Sequence, residues 1–205
     1  MPEDKFALLD EPRRPWIDPE ELKKKFLALS ASVHPDRVHN APDEQRRNAE
    51  RRFAELNSAY NCLREPKDRL RHLLELERSA KPDDVQRIPA GLMDTSFEVG
   101  RLCKEADTFL REKRAVSSPL LQVQLFERAQ DWTDKLNELQ RDLNARREQL
   151  FVELRQMNES WRTKSPAPEP DAGRRLDRLE EIYRLLGYFG RWLEQLQERI
   201  VQLSL

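Results

Sequence analysis

Few residues in this chain could carry chemistry. His34 and Asp36 flank Pro35, an imidazole and a carboxylate that could exchange a proton or help to hold a metal. His39 lies off the four-residue spacing that puts two imidazoles on one helical turn, and His72 is the only other histidine. Cys62 and Cys103 stand alone, with no CxxC pair. There is no zinc constellation, no activated nucleophile and, with five glycines, no Gly-rich loop for phosphate. No catalytic residue or metal ligand is therefore assigned, and no cofactor is expected. His34-Pro35-Asp36 reads as a group that acts on something else.

A second feature stands eleven residues earlier, the run Lys23-Lys24-Lys25. Across the chain 37 basic residues nearly cancel 38 acidic ones, a net charge of -1. No global field draws the protein to nucleic acid or to an anionic membrane, and neither is an expected partner. Three lysines in a row still make a local positive patch, of the kind that sets encounter rate and orientation and weakens with salt. No stretch approaches the roughly 18–20 apolar residues of a membrane span. Residues 1–10 have neither signal-peptide nor transit-peptide character. With two unpaired cysteines, a cytoplasmic location is expected.

Helices must position these groups. Asp18-Pro19-Glu20-Glu21 combines a capping residue, proline at the first helical position and a capping-box spacing. Leu22, Phe26, Leu29 and Val33 then share one face, and the helix should stop before Pro35. A polar loop with Pro42 leads to a second helix from about Asp43, striped by Ala49, Phe53, Leu56, Tyr60 and Leu63. Pro66 ends it, and a short helix carries Leu70, Leu73, Leu74 and Leu76. Small helices thus flank an antiparallel hairpin whose loop holds His34-Pro35-Asp36.

Beyond a polar connector containing Pro82, the pattern is helical throughout. Leu92, Val99, Cys103, Ala106 and Leu110 share a face. A heptad-like seam follows from about Leu120 to Trp161, through Leu125, Ala129, Trp132, Leu136, Leu139, Leu143, Leu150, Leu154 and Met157. After a Pro-rich loop, Ser165 to Pro170, Leu179, Ile182, Leu186, Phe189, Leu193, Leu196, Ile200 and Leu203 repeat it. Short connections imply antiparallel neighbours. The middle helix would reach roughly 60 Å, so it should overhang or bend.

The stretch from Phe6 to Leu76 resembles the J-domain. The resemblance rests on the Lys-bearing helix, His34-Pro35-Asp36-Arg37, the run Phe53-Ala54-Glu55-Leu56-Asn57-Ser58-Ala59-Tyr60-Asn61-Cys62-Leu63, and then Pro66 and Arg69. It implies a co-chaperone that accelerates ATP hydrolysis on a DnaK-class heat-shock chaperone, the nucleotide belonging to the partner. His34, Pro35 and Asp36 would be the effector residues, and Lys23, Lys24, Lys25 and Arg37 the docking surface.

The remainder narrows the resemblance. There is no Gly/Phe-rich linker, no CxxCxGxG repeat and no cysteine zinc module. Pro66-x-x-Arg69 runs on through His72-Leu73-Leu74-Glu75-Leu76 to a helical bundle, an order similar to the HscB-type (Hsc-twenty, Jac-type) co-chaperones. That likeness implies a DnaK/HscA-class chaperone and an iron–sulfur scaffold protein as partners. It also implies client binding at the start of the first bundle helix, Leu92, Met93 and Phe97. Met93 and Phe97 fall off the core stripe and should be exposed. Gly100 and Arg101 stand where that family carries acidic residues, with Glu105 only later. The expected fold is all-α: a J-domain hairpin over 1–78, a connector over 79–88 and an antiparallel three-helix bundle over 89–205. The rival reading is a helical adaptor with a non-functional J-domain, whose seams bind other helices or a second copy.

Overall fold

The computed structural model describes residues 3–34, 36, 41–80, 82, 88–116, 118–162 and 172–204. Among the described residues there is no strand. Within those residues seven α-helices follow one another: α1 (Lys5–Leu8), α2 (Pro19–Ser32), α3 (Asp43–Arg64), α4 (Pro66–Arg78), α5 (Met93–Ala115), α6 (Pro119–Arg162) and α7 (Ala172–Ser204). The chain is all-α, with the N-terminal hairpin and C-terminal helices anticipated from the apolar periodicity. It divides into two compact units, Met1–Asp83 with Phe151–Tyr183, and Asp84–Leu150 with Arg184–Leu205.

In the first unit, side-chain caps set the starts of α1 and α2. The Asp18 carboxylate accepts from the backbone N–H groups of Glu20 and Glu21, both at 3.0 Å, and Pro19 occupies the first turn. Asp4 does the same for α1, taking the Phe6 and Ala7 N–H groups. Helix α2 ends at Ser32, its cap Val33 donating to the Ser30 carbonyl. Between α3 and α4 the break falls at Glu65, held extended by the proline that follows it.

The hairpin closes through Leu22 of α2, Leu56 and Leu63 of α3 and Leu70, Leu73 and Leu74 of α4, all buried. Phe26 stacks on Tyr60 with ring centroids 4.3 Å apart. The buried face of α3 is wider than the expected stripe and takes in Ala59 and Cys62, because α3 packs against α1, α2 and α4 at once. Ala49, Phe53 and Tyr60 are only half-buried.

The same unit includes the last turns of α6 and the first of α7. Arg178 of α7 makes two bonds of 2.7 Å to the Glu153 carboxylate of α6, which together with Glu181 raises its already high pKa further. Arg78 of α4 donates to Asp177, at 2.6 Å, and to Glu180. At 44 residues, α6 is about 65 Å long, and its final stretch packs in the unit that holds the hairpin. Leu154, Met157 and Trp161, the end of the seam, therefore belong to that unit.

The second unit is built from α5 and the remaining parts of α6 and α7. Val99, Cys103, Ala106 and Leu110 are buried as the periodicity requires, and so are Leu102 and Phe109. Leu136, Leu139 and Leu143 of α6 and Phe189, Leu193 and Leu196 of α7 are buried in the same unit. Polar ties join the helices: Arg199 to Asp107 at 2.8 Å and Arg146 to Thr95 at 3.0 Å.

Candidate functional site

Helix α2 delivers His34 one residue beyond its cap. The imidazole lies edge-on to Phe53 of α3, centroids 5.2 Å apart, so a half-buried ring on the opposite arm fixes the loop's entry. Its Nδ1 accepts from the Asp36 N–H at 3.3 Å and lies 3.4 Å from the Asp36 carboxylate. Both side chains face solvent, that of Asp36 being 89% exposed. Such a pair offers hydrogen-bonding groups outward and holds nothing in a cleft. Among the described residues no group of three His, Cys, Asp or Glu side chains could hold a metal. Pro35 and Arg37, expected to act with this pair, lie outside the described residues.

The lysine run does not form one patch. Consecutive residues on a helix point about 100° apart. Lys23 and Lys24 are exposed, whereas Lys25 turns to Glu11, its Nζ 2.8 Å from the carboxylate and 3.1 Å from the Asp10 carbonyl. The Glu11 side chain is fully buried and also binds Arg14 at 2.9 Å. A buried carboxylate needs such partners, so Lys25 holds α2 to the preceding segment.

Two motif positions prove to be internal struts. Arg69 is 2% exposed and donates to the Pro15 carbonyl at 2.9 Å and the Leu63 carbonyl at 2.7 Å. Burial, with Arg14 nearby, pushes its pKa down to about 10, still charged at neutral pH. His72 accepts the Lys5 N–H at Nε2, 3.0 Å away, and stacks against Phe6. Burial, then the Lys5 ammonium, lowers its pKa and keeps it neutral.

At the start of α5, Leu92 is buried, while Met93 and Phe97 are 39% and 70% exposed. Leu92 is therefore core packing beneath this spot, and the surface it leaves is that of Met93 and Phe97. Arg101 binds both Glu105 oxygens at 3.1 and 3.2 Å. It lies in a groove of about 550 Å³ between α5 and α6, lined by Glu98, Glu105, Glu138 and Asp142 with Lys135. Of these carboxylates the helical pattern of α5 points to Glu105 alone. Glu98 follows Phe97 directly, and the other two carboxylates come from a helix forty residues away, which only the pairing of helices reveals.

Residues 14–72 match the family model described as DnaJ domain. The chain is 41% identical over 73 residues to the "Co-chaperone protein HscB homolog" of Bordetella pertussis, covering 36% of this chain and 43% of that one. It is 33% identical over 97 residues to the protein of the same name from Chromobacterium violaceum, 47% of this chain and 55% of the relative. The matched stretch thus spans about half the length of these curated relatives. In fold the likeness runs further. Chaperone HscB from Vibrio cholerae matches with a TM-score of 0.58 at 20% identity, over 98% of this chain and 99% of that one. Human co-chaperone protein HscB matches with 0.57 at 18% identity, over 98% and 81%. The resemblance read from the residues is thus found in sequence for the hairpin and in fold for nearly the whole chain.

Proposed function

We infer that the protein is a J-domain co-chaperone that stimulates the ATPase of a DnaK/HscA-class heat-shock chaperone and brings it a client. In this reading the J-domain spans 1–78, the connector 79–88 and the client-binding bundle 89–205. The observation that carries it is the solvent-facing His34/Asp36 pair at the end of α2, within the stretch that matches the DnaJ domain. These residues hold no nucleotide or substrate; they meet a partner, with Lys23 and Lys24 orienting it. Pro35 and Arg37 act in the same contact.

The client is an iron–sulfur scaffold protein, bound at Met93 and Phe97 on α5. An exposed apolar spot followed by carboxylates suits a client with apolar side chains beside basic ones. The adaptor reading loses its main support, because seam residues such as Leu136, Leu143 and Leu196 are fully buried.

The test is steady-state ATP hydrolysis by the organism's DnaK-class chaperones with the purified full chain. Wild type raises it severalfold and His34→Gln abolishes the effect with helicity unchanged. No stimulation of any such chaperone by wild type refutes the reading. For the client, Met93→Ala/Phe97→Ala loses scaffold binding while keeping ATPase stimulation; undiminished binding would place the client elsewhere.

A further inference from the structure

The outward face of α2 is not uniformly basic. From Phe26 to His34 there is no Asp, Glu, Lys or Arg, in a chain of which 37% is charged. Leu27, Ala28 and Ala31 are exposed on this stretch, Leu27 to 54%. Lys23 and Lys24 precede Leu27 by four and three residues, and His34 follows it by seven. At 3.6 residues per turn Lys23, Lys24, Leu27 and Ala31 fall on one side of the helix, and His34 stands two residues beyond its end. Leu27 lies one turn from the two lysines and about 7.5 Å along the axis from Ser32, the last helical residue before the His34 loop.

A single exposed leucine is ordinary on a protein surface. This one differs by position, on a charge-free stretch between the groups assigned above to one partner. We propose that Leu27 is the apolar anchor of the α2 docking face, and that it meets an apolar spot bordered by carboxylates on the DnaK-class chaperone. The proposal rests on the function inferred above. Charge complementarity identifies the occupant: Lys23 and Lys24 call for carboxylates opposite them. Opposite Leu27 and Ala31 a charge would lose its water with no partner, so that part of the surface must be uncharged. Lys25 adds nothing, being held by Glu11.

Salt separates the two components, because it screens the ammonium–carboxylate attraction and leaves apolar contact intact. ATPase stimulation is titrated with the full chain as wild type, Leu27→Ala, Leu27→Glu and His34→Gln, at low and at high salt. Leu27→Ala should raise the half-maximal concentration on the order of tenfold, as loss of an interface anchor does, with the maximal rate retained. Leu27→Glu should be weaker still at low salt and partly recover at high salt, a signature that mere helix destabilisation would not give. If both Leu27 variants titrate like wild type while His34→Gln is inactive, the anchor is refuted and the function stands. If Leu27→Glu is impaired equally at both salts, the carboxylate border is refuted. A wild type without stimulation overturns the function, and the anchor with it.

Discussion

The Asn158 carboxamide pairs with both backbone polar groups of Trp16, accepting the N–H at 2.9 Å and donating to the carbonyl at 2.7 Å. It substitutes for a strand neighbour at a residue that belongs to no helix. The Trp16 indole sits with the Arg155 guanidinium 4.5 Å from its ring and that of Arg69 at 5.6 Å, with Phe151 tilted against it. The end of α6 thus completes the packing of the segment that leads into α2.

Replacing Asn158 with alanine leaves two partly buried backbone groups unpaired, at a cost of about 1–3 kcal/mol. Urea unfolding of Asn158→Ala should show that loss. The Trp16 amide should also exchange its hydrogen faster than in wild type, while amides in the middle of α5 do not change. Equal exchange at Trp16 would mean that the carboxamide contributes nothing there.

Arg69 predicts a failed conservative substitution. Its planar fork reaches two carbonyls on different segments, Pro15 and Leu63, and a lysine cannot span both. Arg69→Lys should therefore lose nearly as much stability as Arg69→Met, each by about 2–4 kcal/mol, in thermal or urea denaturation. A lysine variant as stable as wild type would show that one of the two bonds is idle.

Lys25 and its neighbours should separate in a double experiment. Lys25→Ala strips a partner from the buried Glu11 carboxylate and should cost about 1–2 kcal/mol of stability, Arg14 still being present. Lys23→Ala and Lys24→Ala, on exposed positions, should change stability by no more than about 0.5 kcal/mol and weaken docking instead. The reverse pattern would return Lys25 to the docking surface.

Much of this was legible because its causes are local or periodic. Asp18, Pro19 and Pro66 mark helix ends by their own chemistry, and Leu22, Leu56 and Leu136 declare a face by spacing. Trp16 and Glu11 gave no such signal, since the segment with Pro12 and Pro15 has no period. Asn158 reads as an ordinary surface residue between Met157 and Glu159, its partner 142 positions away in the chain. The three lysines are identical in sequence, and only the position of Glu11 tells them apart. At the start of α5 the exposure of Met93 and Phe97 followed from the helical wheel. The carboxylates of Glu138 and Asp142 needed the pairing of α5 with α6.

His72 gives the chain a pH dependence of known sign. Its folded pKa lies below the ordinary value near 6.5, chiefly through burial, so the unfolded chain takes up the proton first as pH falls. The contribution to stability is complete above about pH 6.5 and is lost as pH drops through the depressed value. Protonation also removes the Nε2 lone pair that accepts the Lys5 N–H, and the Lys5 ammonium and Arg13 oppose the new charge, while Asp4 and Glu75, whose carboxylate lies 4.0 Å from Nδ1, favour it; burial is the largest cause and sets the direction. Glutamine keeps an acceptor but cannot titrate. The stability difference between wild type and His72→Gln should therefore shrink or reverse between pH 7.5 and 5.5, with α1 amides losing hydrogen-exchange protection in wild type alone. A difference that stays constant over that range would mean that the His72 proton is bound equally by the folded and unfolded chain.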